Sequence, residues 1–486
     1  MRPLSLPLPG LLLLLSLTGV PLPAVPRQPD DPRRAPALQL IPLEMQVAEA
    51  VLPDLQCQPR PVTPPAPGAS AAVPQTEIPD LEEVESALGA ANPTAEPSAT
   101  MPAAGPPTPR LPLSVSGEPY RIAVWGDSHM AAAFFTDELA RILAPTLGPA
   151  GSRFVSASVG HGGVRGLVRK VCLSPRWTRE AAHARPAAAE APGPGLVSLL
   201  AQEPGASVVL DLRDTAGQPR HRAVQILIGP TAQAVTVAVS VNVNGRDGDG
   251  DETTLVLPAT TGDTAIDLRT NAALSTLKLR LVQGPLRLQG LRLGEAPPAS
   301  GLQLDVLAYP GATALGWARA DTGLLRAWFD APAYDLVLLA YGTNEGNDHN
   351  YNAGAYREML ARAVANARQL FPQARCVLVG PGDRGIRVPK SRAKPRKPGR
   401  KAAAARLDLL KYARIHEEIN RIQQSVASQL GCSAWNVQAR MGGRGSAYRW
   451  ARTSPPLMAG DLLHFTAAGY RELAQRFAAD VGWGGR

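Results

Sequence analysis

A serine follows an apolar run early in the chain, and an aspartate and a histidine stand three residues apart near its end. The serine is Ser128 in the run GDSH, and the pair is Asp461 and His464 in GDLLHF. A serine hydroxyl becomes a nucleophile when a histidine accepts its proton and a carboxylate fixes the histidine tautomer. These residue types fit acyl chemistry, although Ser128 could also be only a helix N-cap and His464 only a loop histidine.

Acyl chemistry also needs hydrogen-bond donors aimed at the oxyanion. Gly311 in YPGATA offers a backbone N–H where a side chain would crowd a substrate, and Asn344 in YGTNEGND offers a side-chain amide after an apolar run. The Ser128 N–H, at the start of a helix, is the third candidate donor. Gly163 in VGHGGVRG competes with Gly311, and either glycine could be an ordinary turn residue.

Short apolar runs alternate with helical patterns around these residues. The runs at 122–125, 336–340 and 376–380 are continuous, which is typical of parallel strands buried on both faces. Apolar residues at helical spacing follow them, as in Phe135 and Leu139. The alternation predicts an α/β sheet covered by helices on both faces.

Between about 165 and 300 the apolar period changes from helical to two, as in the alternating valines from Val235 to Val243. Several such runs with turn signals predict a β-sandwich inserted into the α/β domain. The run RDGDGDE at 246–252 has aspartates at alternate positions but lacks the glycine and glutamate spacing of a calcium hand. We interpret it as a solvated hairpin turn and expect no metal or cofactor.

The N-terminal part differs in composition from the rest. Residues 1–24 carry Arg2 and a short leucine-rich block, which is typical of a secretory signal peptide, with an uncleaved anchor as the alternative. The Pro/Ala-rich segment 25–112 predicts a disordered linker, and we expect no later membrane span. The four cysteines are widely scattered, and the apolar surroundings of Cys376 and Cys432 favour buried thiols over a disulfide.

The formal charge of +9 is concentrated in one place. The segment from Arg384 to Lys401 carries nine lysines and arginines and no acid, which equals the whole excess. The rest of the chain is close to neutral, which argues against a nucleic-acid binder. Proline and glycine in the segment predict a loop that is either simply solvated or in contact with an anionic polymer.

The runs GDSH, PGATA, YGTNE and DLLHF together resemble the four blocks of the SGNH (GDSL-type) hydrolases, over about 117–164 and 301–486. The resemblance implies a flavodoxin-like three-layer α/β/α sandwich built from 113–164 and 301–486. It also implies that Ser128, Asp461 and His464 form a catalytic triad, and that Ser128, Gly311 and Asn344 are the oxyanion donors. One departure is that the second block lacks a small polar residue before its glycine.

The order of parts is similar to that of exported peptidoglycan O-acetylesterases, in which a β-domain follows the first block and an MGGRGS run precedes the Asp-x-x-His pair. In that group the inserted module, here 165–300, is carbohydrate-binding-like, although this insert shows no obvious aromatic platform for sugar stacking. The resemblance implies an exported, periplasmic or secreted esterase that removes O-acetyl groups from peptidoglycan or a related carbohydrate polymer. The alternatives are an O-acetyltransferase on the same site and a non-catalytic cell-wall-binding protein.

Overall fold

The computed structural model describes residues 38–47, 52–57, 76–91, 110–113, 118–166, 168–184, 193–214, 216–244, 251–294, 301–329, 334–390 and 407–483. The strands, in chain order, are β1 (Gln39–Met45), β2 (Thr76–Glu77), β3 (Tyr120–Gly126), β4 (Ala150–Gly151), β5 (Phe154–Ser156), β6 (Lys170–Leu173), β7 (Trp177–Ala181), β8 (Val197–Ala201), β9 (Ser207–Asp211), β10 (His221–Ile228), β11 (Val235–Val241), β12 (Thr253–Leu257), β13 (Thr264–Leu274), β14 (Thr276–Gln283), β15 (Leu286–Gly294), β16 (Leu302–Val306), β17 (Leu336–Ala340), β18 (Arg375–Val379), β19 (Val388–Pro389) and β20 (Ser433–Trp435). The helices are α1 (Leu81–Ala91), α2 (Ser128–Ala131), α3 (Phe134–Leu147), α4 (Leu315–Arg319), α5 (Thr322–Arg326), α6 (Thr343–Asn347), α7 (Ala353–Leu370), α8 (Lys411–Gln429), α9 (Val437–Met441), α10 (Ser446–Trp450) and α11 (Ala467–Val481).

A parallel sheet with the order β20-β18-β17-β3-β16-β4 organises the α/β part of the chain. β3 lies between β16 and β17 and pairs with both in parallel. The chain therefore leaves β3 towards one side of the sheet and later returns to the other side. In open α/β sheets such a reversal creates a crevice at the carboxyl ends of the two strands concerned.

Alternate residues of β3 enter two different hydrophobic cores, one on each face of the sheet. Ile122 and Val124 pack with side chains of α3 and α11, including Phe135. Ala123 and Trp125 pack with side chains of α4, α7 and α8. Both faces of the strand need apolar residues, and each buried Val or Ile side chain contributes about 1.5–3 kcal/mol. The predicted three-layer α/β/α sandwich is confirmed.

Two mainly antiparallel layers form a β-sandwich, and most of their strands lie in the chain between β3 and β16 of the central parallel sheet. One layer has the order β1-β13-β10-β15-β8-β7 with β5 beside β15, and the other has the order β12-β11-β14-β9-β6. Their inner faces share one core, to which β10 contributes Val224 and Ile226 and β11 contributes Val237 and Val239. The inserted β-sandwich is therefore confirmed, although its sheet already includes β5, before the expected boundary at residue 165.

Parts of the Pro/Ala-rich segment 25–112 are folded, so the predicted disordered linker is wrong for these residues. β1 pairs in parallel with β13, and it buries Leu43 and Met45 in the core of the sandwich. In α1, Val84 is buried against Leu462. Averaged composition concealed these short apolar stretches, which gain stability only from distant partners. The remaining residues of the expected linker, and the expected signal segment 1–24, lie outside the described residues.

Both pairs of cysteines form disulfides, Cys57 with Cys172 and Cys376 with Cys432. The expectation of buried thiols at Cys376 and Cys432 is therefore wrong. The reason is topological, because β18 and β20 are neighbours in the sheet and Cys432 lies just before β20. Residues 56 positions apart along the chain thus come within a Cα–Cα distance of 4.7 Å.

Most of the acidic run at 246–252 lies outside the described residues. Glu252, at its end, forms an ion pair with Arg280 and lies 3.6 Å from the ammonium of Lys278. Within the described ranges, no group of three or more His, Cys, Asp or Glu side chains could hold a metal ion. No helix among the described residues is long and apolar enough to cross a membrane.

Candidate active site

Ser128 stands at the junction between β3 and α2, at the carboxyl edge of the central sheet. A Cβ at Gly126 would lie 2.9 Å from the Ala340 carbonyl oxygen. The chain can therefore turn there because Gly126 has no side chain. The helix cap is Asp127, whose carboxylate accepts a hydrogen bond from the His129 N–H at 2.9 Å. Ser128 is therefore not the N-cap, and its hydroxyl is available for another partner.

That partner is His464. The Ser128 Oγ lies 3.0 Å from His464 Nε2, and His464 Nδ1 lies 2.7 Å from Asp461 Oδ2. The other Asp461 oxygen accepts the backbone N–H groups of Leu463 and His464 at 3.0 and 2.9 Å. The turn is tight, with Leu462 in the left-handed region at a φ of 59°. The structure thus brings together the three residues that the two sequence runs singled out.

The electrostatics of the pair suit a general base. Burial alone would raise the pKa of Asp461, but hydrogen bonds from the His464 side chain and from the backbone lower it well below its usual range. The Asp461 carboxylate in turn raises the pKa of His464. Because Nδ1–H donates a hydrogen bond to Asp461, the lone pair of His464 Nε2 is free to accept the proton of the Ser128 hydroxyl.

The three candidate oxyanion donors follow neighbouring parallel strands. Ser128 follows β3, Gly311 follows β16 and Asn344 follows β17. Among the described residues, no hydrogen-bond acceptor faces the backbone N–H of Ser128 or Gly311. The Asn344 side-chain amide donates to the Ala312 carbonyl at 2.9 Å, which leaves its second N–H for another acceptor. This edge can therefore present two backbone donors and one amide donor.

The competing glycine lies next to the same loop. Gly163 belongs to the connection between β5 and β6, and a Cβ placed on it would lie 3.9 Å from Pro310. Gly311 differs because it follows β16, which pairs directly with β3. Its φ of 81° is in the left-handed region, which glycine adopts without a steric cost.

Glu345 is a residue whose importance the sequence did not reveal. It is buried, and its carboxylate accepts the Ala314 N–H at 2.8 Å and the Gly342 N–H at 3.0 Å. One side chain therefore joins the loop of Gly311 to the turn of Asn344. The only sequence signal was an acidic residue five positions after the end of the buried strand 336–340.

Two further ionisable groups lie behind Ser128. Burial raises the pKa of Asp127 to about 7. Burial and the neighbouring His464 lower the pKa of His129 to about 3, so that this imidazole is neutral near pH 7. The His129 ring packs 5.4 Å from the His464 ring and forms a 3.1 Å hydrogen bond with the Tyr470 hydroxyl. His129 thus supports His464 from behind, whereas His349 has a largely exposed side chain.

The basic segment begins beside this site. Arg384 forms a hydrogen bond with the Asn347 side chain, and its guanidinium lies 3.7 Å from the centre of the Tyr412 ring. Burial lowers the pKa of Arg384. Arg387 is exposed and donates to a carbonyl of β2 at 2.6 Å. Residues 391–401, which carry most of the predicted charge, lie outside the described part of the chain.

The later part of the chain matches the model of a known protein family. Residues 283–472 match the model of the GDSL-like Lipase/Acylhydrolase family. The match includes Gly311, Asn344, Asp461 and His464, whereas Ser128 precedes it because the β-sandwich separates the first block from the others. No curated protein sequence matches the chain significantly.

The chain is similar to several solved structures. One described as "Peptidoglycan O-acetylesterase in action, 5 min" is 24% identical, with a TM-score of 0.52, and the match covers 76% of this chain and 92% of that chain. A Corynascus thermopiles (Myceliophthora fergusii) carbohydrate esterase family 2 enzyme with a carbohydrate binding domain is 15% identical, with a TM-score of 0.23 and coverage of 58% and 96%. A family two carbohydrate esterase from Cellvibrio japonicus is 12% identical, with a TM-score of 0.22 and coverage of 68% and 99%.

Proposed function

We propose that this chain, a serine esterase with a hydrolase domain of the GDSL-type (SGNH) family, removes O-acetyl groups from peptidoglycan. The observation that carries the proposal is the continuous hydrogen-bonded chain from Ser128 through His464 to Asp461, with distances of 3.0 and 2.7 Å. This chain supplies a nucleophile, a base and an orienting carboxylate at one edge of the sheet.

The reaction proceeds in two steps. Ser128 Oγ attacks the acetyl carbonyl carbon while His464 Nε2 takes the hydroxyl proton, and the N–H groups of Ser128, Gly311 and Asn344 stabilise the oxyanion. The tetrahedral intermediate then expels the sugar oxygen, which receives the proton from His464, and an acetyl ester remains on Ser128. A water molecule, deprotonated by His464, attacks this ester and releases acetate. Asp461 keeps the imidazole oriented throughout.

Three observations support an O-acetylated glycan as the substrate. The four sequence runs and the inserted β-sandwich are similar in order to those of peptidoglycan O-acetylesterases, and the likeness to a solved peptidoglycan O-acetylesterase lies in the fold. The cleft beside Asn344 also offers polar side chains to a substrate, among them Asn350 and Arg362, which suits the hydroxyl and amide groups of a glycan. Together these observations favour an O-acetylated glycan over a lipid.

We also propose that the protein acts outside the cytoplasm. Its two disulfides support this, because disulfides persist in oxidising compartments and are rare in the reducing cytosol. The leucine-rich block in residues 1–24 supplies a matching export signal. A wall polymer would be accessible to the enzyme in that location.

The segment from Arg384 to Lys401 is proposed to attract an anionic wall polymer. It starts close to the site, where Arg384 packs on Tyr412, and the exposed Arg387 continues it. Replacing Arg387, Lys390 and the lysines and arginines at 391–401 by glutamine should reduce kcat/KM on wall material and weaken its dependence on salt. An unchanged salt dependence would contradict this contact.

Acetate release from O-acetylated peptidoglycan, compared between the native protein and Ser128→Ala, tests the proposal. We expect release only from the native protein. If the native protein cleaves p-nitrophenyl acetate but leaves peptidoglycan untouched, the esterase chemistry stands and the substrate is wrong. Acetyl transfer to an added glycan without acetate release would instead indicate an O-acetyltransferase.

A further inference from the structure

A cleft of about 460 Å³ opens beside Asn344 at the carboxyl edge of the central sheet. The connection between α6 and α7 contributes Asn350 and Tyr351 to its wall, and α7 contributes Met359 and Arg362. None of these four residues takes part in the hydrogen-bonded chain of Ser128, so the catalytic chemistry leaves their placement unexplained.

The side chains around the cleft combine two properties. Asn350 and Arg362 are exposed, and Arg362 forms neither an ion pair nor a hydrogen bond with another described residue. Tyr351 and Met359 are half-buried and offer apolar surface. Sugar rings present hydroxyl and amide groups at their edges and apolar C–H groups on their faces, and they need both kinds of partner. The cleft thus offers a polysaccharide both kinds of partner.

The inserted β-sandwich contributes one residue to the lining of this cleft. His183, which follows β7, lines it, and the His183 ring lies 6.0 Å from the ring of Tyr309. His161, after β5, approaches the same tyrosine at 5.1 Å. Tyr309 is two residues before Gly311, and its N–H donates to the Gly126 carbonyl at 3.0 Å. Two loops of the β-sandwich therefore pack on the loop that carries a candidate oxyanion donor.

We propose that the cleft between Asn344 and His183 binds the glycan strand next to the O-acetylated sugar, and that the inserted β-sandwich contributes to its lining. The inference rests on the proposed carbohydrate esterase function and specifies where the polymer lies. It gives the β-sandwich a role in the catalytic cleft. This role requires no separate aromatic platform for sugar stacking on the outer surface of that domain.

The test compares two substrates in each variant. Arg362→Ala, Asn350→Ala and His183→Ala are assayed on O-acetylated glycan strands and on p-nitrophenyl acetate, which is too small to extend along the cleft. We expect the ratio of kcat/KM on strands to kcat/KM on the small ester to fall about tenfold for each variant, as for the loss of about 1.4 kcal/mol of binding. The matched control is Arg357→Ala, because Arg357 is also on α7 but donates to Ser425 on α8, away from the cleft.

The length of the strand provides a second readout. In the native protein, kcat/KM should rise as the glycan is extended beyond one disaccharide, and this rise should be reduced in the three variants but not in Arg357→Ala. The side chains of Arg362 and Asn350 are exposed and are not needed for folding. If both alanine variants keep the native ratio and the native length dependence, the inference is overturned, even if the native enzyme releases acetate. Activity of the native protein on p-nitrophenyl acetate alone would overturn the proposed function, and with it the glycan strand as the occupant.

Discussion

The Glu345 carboxylate accepts a hydrogen bond from the Ala314 N–H at 2.8 Å, so a residue that follows β17 holds the loop that follows β16. Its second oxygen accepts the Gly342 N–H at 3.0 Å. The carboxylate is buried, and no water can easily replace it as an acceptor. Glu345 is therefore a positioning residue for both the Gly311 and the Asn344 donors.

Glu345→Gln should lower kcat on p-nitrophenyl acetate by about 10–100-fold with little change in KM, because the Gln amide cannot accept both backbone N–H groups and the loop shifts. A purely structural role would lower stability and leave kcat per folded molecule unchanged. The control is Glu358→Gln, an exposed position on α7. Steady-state kinetics of both variants, corrected for the folded fraction, separates the two outcomes.

The pH dependence of kcat/KM should reflect the pKa of His464 and its interaction with Asp461. His464 must be neutral to take the Ser128 proton, so activity falls as the pH falls through its pKa. Because Asp461 raises that pKa, the acidic limb of kcat/KM should lie above the ordinary histidine value of about 6.5. Asp461→Asn should move the limb to lower pH and reduce kcat on the order of 10³–10⁴-fold.

The exposed Asp408→Asn is the control for the pH profile, since Asp408 pairs with Arg414 and not with the histidine. Its acidic limb should coincide with that of the native protein. An Asp461→Asn limb at the native position would mean that Asp461 does not set the pKa of His464.

The two candidate oxyanion glycines form a matched pair. Both have positive φ, 81° at Gly311 and 87° at Gly163, and an added Cβ meets no atom closer than 3.9 Å at either position. Alanine should therefore cost each variant a similar stability, about 1–2 kcal/mol. Only Gly311→Ala should lower kcat, by about 10–100-fold, because strain displaces its N–H from the oxyanion. A larger loss in Gly163→Ala would assign the donor to Gly163.

Alkylation should detect no free thiol in the unfolded, unreduced protein and four after reduction, because both cysteine pairs are oxidised. In Cys376→Ser, one thiol, that of Cys432, should become reactive. Loss of either disulfide should lower the free energy of unfolding by about 2–4 kcal/mol. Thiols that react in the unfolded, unreduced protein would contradict the pairing.

The features that could be predicted from the sequence are those that depend on the residues of a single strand. The continuous apolar runs at 122–125 and 336–340 predicted parallel strands because a strand covered on both faces needs apolar residues at every position. Ser128 and Asn344 each follow such a run within four residues. Their position at the same carboxyl edge of the sheet could therefore be predicted from the sequence.

Features that depend on distant partners could not be predicted in this way. β1 is stable because it pairs with β13, more than 200 residues later, and its short apolar sequence stands within a proline-rich segment. The disulfide of Cys376 required the adjacency of β18 and β20. The role of Glu345 depends on a backbone N–H in another loop, which no sequence pattern encodes.

In the proposed reaction, Ser128 carries the acetyl group between the two steps. The direct measurement is peptide mass spectrometry of the native enzyme, acid-quenched within the first turnovers on O-acetylated peptidoglycan, with Ser128→Ala treated in parallel. We expect one acetyl group on the peptide that contains Ser128, absent from the variant. An acetyl group on a different residue, or acetate release at the native rate by Ser128→Ala, would contradict it.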